Sequence, residues 1–248
     1  MTHVLLEICC GSIDDAIEAE KGGADRVELC SALFLGGLTP SVGTIQEAKR
    51  RLKIPIMVMV RPRGGGFAYS EAELASMERD TEAALENGAD GIVFGVLQSD
   101  GAIDIPRCRR IRRLIGKRQA VFHRAFDVTP DPFEALEQLV DVGITRVLTS
   151  GQKDSAPEGV ELIKKLIERA GDRIEILPGG GIQVWNLKEM VEQIACRQVH
   201  LTAWGTVLDT STHARPAITF GGALHPPEDR YQVTDAKLVR KISAMLKI

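Results

Sequence analysis

The 248-residue sequence has few aromatic residues, little net charge and no long apolar run, and each shortage excludes a class of protein. Only 4% of the residues are aromatic and the formal net charge is −3, so neither base stacking nor a basic surface favours nucleic acid as a partner. No apolar stretch approaches a membrane span, and the N-terminal segment lacks the regions of a signal peptide. These shortages predict a cytoplasmic protein that binds neither nucleic acid nor membranes.

One cluster of arginines, RCRRIRRLIGKR at 107–118, departs from the low overall charge. Its apolar residues Ile111, Leu114 and Ile115 recur at helical spacing, with the arginines mostly around them. This pattern predicts the solvated face of a helix rather than a binding site.

Cysteines are also scarce. The chain has five, an odd number, and no C-x-x-C motif. This usage indicates reduced thiols rather than a disulfide framework, which agrees with a cytoplasmic location.

Short β-rich segments alternate with amphipathic helical segments along the whole chain. The predicted strands are 4–8, 26–30, 56–61, 91–94, 120–123, 146–149, 174–177 and 199–202. Ser12, Ser41 and Ser70 stand where helix N-caps are expected. A weak repeat supports the alternation, because GGADRVEL, NGADGIVF and VGITRVLT each run from a glycine through a short link into a strand.

This alternation predicts the α/β class and a (β/α)8 TIM barrel, because eight strands at a spacing of roughly 30 residues match that fold. We expect one domain over residues 1–248, with a long C-terminal loop and a terminal helix. A doubly wound open sheet is the alternative. It is less favoured because no G-x-G-x-x-G motif follows the first strand.

Polar residues concentrate on the strand faces that should point into the barrel. Side chains alternate between the two faces of a strand. If the apolar residues face the surrounding helices, the residues between them point into the barrel. The polar residues placed in an upper ring are Glu7, Glu28, Arg61, His123, Glu175 and His200. Barrel active sites lie at this end, so the ring predicts a functional cavity. A structural salt-bridge network neutralised by Arg26 and Arg61 is the other interpretation.

The loops after strands five and seven carry further candidates. HRAFDVTPDP brings His123, Arg124 and Asp127 close in sequence. A histidine beside a carboxylate can act as a general base, or the pair can be a structural hydrogen bond. The LPGGGI segment offers Gly179–Gly181, whose bare backbone can approach an anion. A tight strand-to-helix turn explains those glycines equally well.

Two cysteines occupy matching places on the first two strands, in LLEICCGS and RVELCS. If these strands are neighbours, Cys9 and Cys30 lie side by side at the barrel mouth. Two thiolates suit a soft ion such as Cu(I), with Met57 and Met59 as additional thioethers. The competing interpretation is ordinary core packing, because free cysteine is among the most buried residue types. The remaining cysteines, Cys10, Cys108 and Cys196, lie outside this group.

Several long motifs together resemble the CutC family of copper homeostasis proteins. They are LLEICCGS, GGADRVELCSALFLGGLTPS, VMVRPRGGGFAYS, GADGIVFGVL, VFHRAFDVTPDP, RVLTSG and LPGGGI, and the similarity continues to QVTDAKLVRKI near the C-terminus. The resemblance implies a TIM barrel, a cytoplasmic location, a homo-oligomer with a dimer favoured, and a role in copper handling. It also places the copper-binding cysteines of the family on Cys9 and Cys30.

Two functional hypotheses follow. The first is a Cu(I)-binding homeostasis protein with Cys9 and Cys30 as metal ligands. The second is a barrel enzyme acting on a small anionic, possibly phosphorylated, metabolite. In the second, Arg61, Gly179, Gly180 and Gly181 bind the anion. Its candidate catalytic residues are Glu7, Glu28, Arg61, His123 and Asp127.

The segment STHARPAITFGGALHPPED at 211–229 is the long C-terminal loop. We expect it to mediate subunit contacts or to cover the barrel mouth. Its histidines, His213 and His225, are predicted to be surface residues.

Overall fold

The alternating segments of the sequence form eight β/α units, as described by a computed structural model for residues 3–221, 224 and 226–247. The eight parallel strands are β1 (Leu5–Cys10), β2 (Arg26–Leu29), β3 (Ile56–Met59), β4 (Gly91–Phe94), β5 (Gln119–Phe122), β6 (Arg146–Thr149), β7 (Glu175–Pro178) and β8 (Gln198–Leu201). They follow the order β7-β6-β5-β4-β3-β2-β1-β8 in one sheet. A parallel bridge between Gly179 and His200 joins the two outer strands, so the sheet closes into the expected TIM barrel.

The helices are α1 (Ile13–Gly22), α2 (Val42–Arg51), α3 (Glu71–Glu86), α4 (Ile105–Ile115), α5 (Pro132–Val142), α6 (Val160–Ala170), α7 (Leu187–Ile194) and α8 (Ala236–Met245). The three predicted serine caps are confirmed. Ser12, Ser41 and Ser70 each accept a hydrogen bond from the backbone N–H three residues later, and Ser70 forms a full capping box with Glu73.

The apolar residues divide between two regions, as the strand alternation predicts. Outward-facing residues such as Leu6, Ile8 and Val27 are fully buried between the sheet and the helices. Inside the barrel a smaller apolar group is packed together, consisting of Cys9, Cys30, Met57, Met59, Val93 and Val121. The parity argument therefore gives the correct face for the first three strands.

The lower end of the barrel carries a polar network of its own. Arg146 donates to Glu175 at 2.8 Å and to the side-chain oxygen of Gln119 at 2.8 Å. Gln198 donates to the same Glu175 carboxylate at 3.3 Å and accepts from Arg26 at 2.9 Å. The predicted place of Glu175 in the upper ring is therefore wrong. It is the first residue of β7, so it lies at the opposite end from the strand C-termini, with its side chain 58% exposed.

An antiparallel hairpin, which the sequence pattern did not reveal, follows the barrel. It pairs β9 (Trp204–Leu208) with β10 (Arg230–Thr234), and the segment 211–229 belongs to the connection between these two strands. The long separation of the two strands hides their pairing from any local pattern. His213 is exposed as predicted, whereas His225 lies outside the described residues.

The arginine-rich segment forms α4, as expected. Ile111 and Ile115 are buried while the arginines surround them. Arg107 and Arg110 form ion pairs with Glu71 and Glu78 of α3, so part of the positive charge is neutralised by the neighbouring helix. No helix in the described ranges has both the length and the hydropathy that a membrane span requires.

Candidate functional site

A cavity of about 370 Å³ opens at the C-terminal end of the barrel strands. Its lower part is lined by Cys9, Glu28 and His200, and its rim by Arg124, Gly180 and other loop residues. A pocket at this end is where barrel proteins place their chemistry.

The two predicted thiols meet beneath this cavity, where Cys9 lines the wall and Cys30 lies behind it. Sγ of Cys9 lies 3.3 Å from a carboxylate oxygen of Glu28, and Sγ of Cys30 lies 3.5 Å from the same oxygen. The ligand atoms of the three residues are all within 4.8 Å of one another. The arrangement arises because β1 and β2 pair in parallel with Cys9 opposite Glu28, and Cys30 follows at the end of β2. Both thiols are buried and free.

A chain of charged side chains continues from the thiols into the barrel. Arg26 forms a buried ion pair with Glu7, whose other oxygen lies 2.8 Å from Nδ1 of His200. Nε2 of His200 lies 3.8 Å from Glu28. His200 thus connects Glu7 to the carboxyl group that contacts both thiols. The second oxygen of Glu28, Oε1, is buried without a hydrogen-bond partner among the described residues.

The charges of this group shift one another's pKa values in different directions. Burial raises the pKa of Glu7, but Arg26 and His200 outweigh it and lower the value to about 2. The hydrogen bond from Cys30 lowers the pKa of the Cys9 thiol against the effect of burial, with His200 assisting. The same contact and burial raise the pKa of Cys30. The contact between the two thiols therefore favours deprotonation of Cys9 over deprotonation of Cys30.

The two barrel methionines differ in their relation to the cavity. Met59 lines it, whereas Sδ of Met57 packs where a Cβ at Gly91 would lie, at 2.7 Å from that position. Met57 therefore fills the interior beneath the cavity.

Arg61 lines the cavity but also ties two loops together. Its Nη1 donates to the carbonyl oxygens of Leu35 at 2.9 Å and Gly37 at 3.2 Å, and its Nη2 donates to Gly65 at 2.7 Å. The guanidinium lies over the ring of Phe67. Its Nε is buried and has no hydrogen-bond partner in the part of the chain that the structure describes.

His123 and Asp127 do not pair, although they are four residues apart. Nδ1 of His123 accepts from the N–H of Ala125 at 3.1 Å. The Asp127 carboxylate instead accepts from Arg124 and from Thr149 and Ser150 of the next unit. The short helical turn after β5 directs the two side chains apart, so the structure offers no carboxylate–histidine general base here.

The glycine segment after β7 has three different environments. The N–H of Gly179 donates to Thr149 as a continuation of the sheet, at 3.0 Å. Gly180 and Gly181 have φ angles of +95° and +68°, which only glycine adopts without strain, and both line the cavity. Gly180 lies against Arg124, since a Cβ built on it would be 3.1 Å from Nη1.

Two side-chain contacts of the site could not be predicted from the sequence pattern. His200 was placed in the interior by parity, but nothing local showed that it contacts Glu7 of the first strand. Arg124 was seen only as a neighbour of His123, whereas its guanidinium reaches the glycine segment of another loop. The first contact requires β8 to pair with β1, and the second requires the loops after β5 and β7 to meet across β6.

Comparison with known proteins identifies the family. A model of the CutC family matches residues 4–205. This chain belongs to the CutC family. The CutC protein of Treponema denticola is 48% identical over 98% of this chain and 98% of its own length. A relative from Homo sapiens, named copper homeostasis protein cutC homolog, is 44% identical over 98% of this chain and 89% of its own.

Solved structures agree with the CutC assignment. The crystal structure of CutC from Streptococcus agalactiae has a TM-score of 0.77 and 38% identity, covering 80% of this chain and 98% of that one. Phosphoribosylanthranilate isomerase from Pyrococcus furiosus, at 14% identity and a TM-score of 0.56 over 99% of both chains, shares the fold alone. The TIM barrel expected from the sequence is confirmed.

Proposed function

We propose that this protein binds one Cu(I) ion as cargo through Cys9 and Cys30, as part of intracellular copper handling. The observation that carries the proposal is the meeting of two buried thiols from adjacent strands beneath an open cavity that Cys9 lines. Thiolate sulfur is the ligand that selects Cu(I) over harder ions. Family membership and the name of the human relative support the copper role.

The residues around the thiols fit such an ion. The ligand atoms lie within 4.8 Å, comparable with the ~4.6 Å that two metal–sulfur bonds of about 2.3 Å span. Oε2 of Glu28, at 3.3 Å from the Cys9 sulfur and 3.5 Å from the Cys30 sulfur, offers a third donor. Cys9 lies on the cavity wall, which gives the ion a route from solvent.

The test is an anaerobic Cu(I) titration of the reduced protein against a competing chelator. We expect one-to-one binding in the wild type and an affinity at least ~100-fold lower in the Cys9→Ser, Cys30→Ser variant, because a hydroxyl is a poor ligand for a soft ion. Circular dichroism of the variant confirms that the fold is retained.

The matched control is the Cys108→Ser, Cys196→Ser variant, which removes two equally buried thiols away from the cavity. It should bind copper as the wild type does. Equal affinity in all three proteins would contradict the proposal and make Cys9 and Cys30 ordinary core residues.

We also propose that the protein forms a homodimer in the reducing cytoplasm. The β9–β10 hairpin and its loop carry exposed apolar side chains, namely Val207, Leu208, Ile218, Phe220 and Tyr231. A second copy covering them would remove this surface from water. The five free thiols agree with a reducing compartment.

Light scattering coupled to size exclusion tests the dimer. The wild type should run at twice the chain mass of 27.0 kDa, and the Leu208→Glu, Phe220→Glu variant at the single mass. A wild-type protein that is monomeric at micromolar concentration would show this prediction to be wrong. Exchanging the equally exposed Trp185, outside the hairpin, for Glu serves as the control.

A further inference from the structure

The rim of the cavity opposite the thiols carries hydrogen-bond donors that copper binding does not use. Arg124 is held from below, since its Nε donates to Asp127 at 2.8 Å and its Nη2 to Ser150 at 2.6 Å. Nη1 has no acceptor among the described side chains and lies beside Gly180. The guanidinium is therefore fixed in place with one of its nitrogens free to bind.

The backbone of the glycine segment adds two more donors. The carbonyl of Gly180 accepts from Ala156 at 2.8 Å, and the carbonyl of Gly181 accepts from Asn186 at 3.0 Å. Their own N–H groups have no acceptor within the described part of the chain. Successive free N–H groups in a left-handed segment can bind an anion.

Two buried donors point to a ligand independently of the glycine segment. Nδ1 of His123 is an acceptor, so the neutral ring carries its proton on Nε2. That nitrogen has no hydrogen-bond partner among the described residues, although His123 is only 4% exposed. Nε of Arg61 is also a buried donor without a hydrogen-bond partner across the residues that the structure describes, and Arg61 is 6% exposed. An unsatisfied buried donor is unfavourable, and a ligand with an acceptor in the cavity would satisfy it.

The size and charge of the cavity define the ligand further. A volume of about 370 Å³ lies within the range of small-molecule sites and far exceeds one metal ion. Arg61 and Arg124 line the cavity and give it positive charge. An anion with an organic body fits these walls.

We propose that the cavity binds a small organic phosphate monoester. Its phosphate lies against Arg124 Nη1 and the N–H groups of Gly180 and Gly181. Its organic body extends towards His123 and Arg61. The Cys9 sulfur lines the same cavity but makes none of these contacts, so the ligand can bind whether or not the protein carries copper.

Isothermal titration of the reduced, copper-free protein with glycerol 3-phosphate tests the site, with glycerol, inorganic phosphate and glycerate as comparison probes. We expect a Kd below about 1 mM for glycerol 3-phosphate and no measurable binding of glycerol. Inorganic phosphate should bind at least ~10-fold more weakly, because it lacks the organic body. Glycerate binding more tightly than the phosphate ester would overturn the assignment of a phosphate.

Arg124→Gln should weaken glycerol 3-phosphate binding at least ~10-fold, whereas Arg113→Gln on the exposed face of α4 should leave it unchanged. Copper affinity should be the same in both variants, which separates this site from the thiols. Equal weakening by both substitutions would indicate non-specific charge attraction and contradict the proposal.

Amide NMR of the wild type keeps the test independent of folding defects in the variants. Addition of glycerol 3-phosphate should shift the N–H resonances of Gly180 and Gly181, while that of Gly179, which is bonded within the sheet, moves less. Saturating ligand that leaves the Gly180 and Gly181 resonances in place would overturn the site.

Discussion

Replacement of Arg26 by methionine should destabilise the protein by about 3–5 kcal/mol. Arg26 and Glu7 form an ion pair in the barrel interior, with each side chain less than 5% exposed. Removing the cation leaves the Glu7 carboxylate buried without its ion pair, with His200 and, more weakly, Arg146 to offset its charge, and a poorly compensated buried charge is strongly unfavourable. Gln198 loses a hydrogen bond from Arg26 as well. Urea unfolding followed by circular dichroism gives the free energy.

A double-mutant cycle distinguishes the effect of the unpaired charge from the effect of lost packing. The Arg26→Met, Glu7→Leu variant removes both charges, so its destabilisation should be smaller than the sum of the two single changes by at least about 2 kcal/mol. Arg50→Met breaks an exposed pair with Glu47 and should leave the unfolding midpoint unchanged within error. If Arg26→Met behaves like Arg50→Met, the buried pair contributes nothing to stability.

Acid should destabilise the wild type more than variants that lack His123. Burial, assisted by the positive charge of Arg61, lowers the pKa of His123 to about 3, against an ordinary value near 6.5 in the unfolded chain. Between these values the unfolded state binds a proton that the folded state excludes. Stability from this residue is therefore present above pH 6.5 and is lost as the pH falls, at up to about 1.4 kcal/mol per pH unit.

The measurement is the free energy of unfolding of the wild type and two variants at several pH values. From pH 6.5 to pH 5 the wild type should lose about 1.5–2 kcal/mol more than either His123→Phe or His123→Gln. Phe keeps the ring contact with Phe67, and Gln keeps an acceptor for the Ala125 N–H. The two variants should thus differ from each other by a constant offset. A wild-type curve parallel to both would show that His123 protonates equally in the folded and unfolded states.

Much of the fold could be predicted from the sequence because its causes are local. Strand alternation separates Glu7 and Cys9 from Leu6 and Ile8 whatever the tertiary partners are, and serine caps act within one helical turn. Adjacent β/α units pair in parallel, so the meeting of Cys9 with Cys30 follows from order along the chain. The motifs also indicated the family, which the comparisons confirm.

The partners of the polar groups were decided by tertiary structure alone. His200 reaches Glu7 only because β8 closes against β1, and Arg124 reaches Gly180 only across the ends of different strands. His123 bonds to Ala125 rather than to Asp127, because the turn after β5 sends the Asp127 carboxylate to the next loop. Sequence alternation predicts which face of the sheet carries Glu175, but not at which end of the barrel it lies. Hydrogen-bond choice depends on distances across the barrel, and strand patterns carry no information about those.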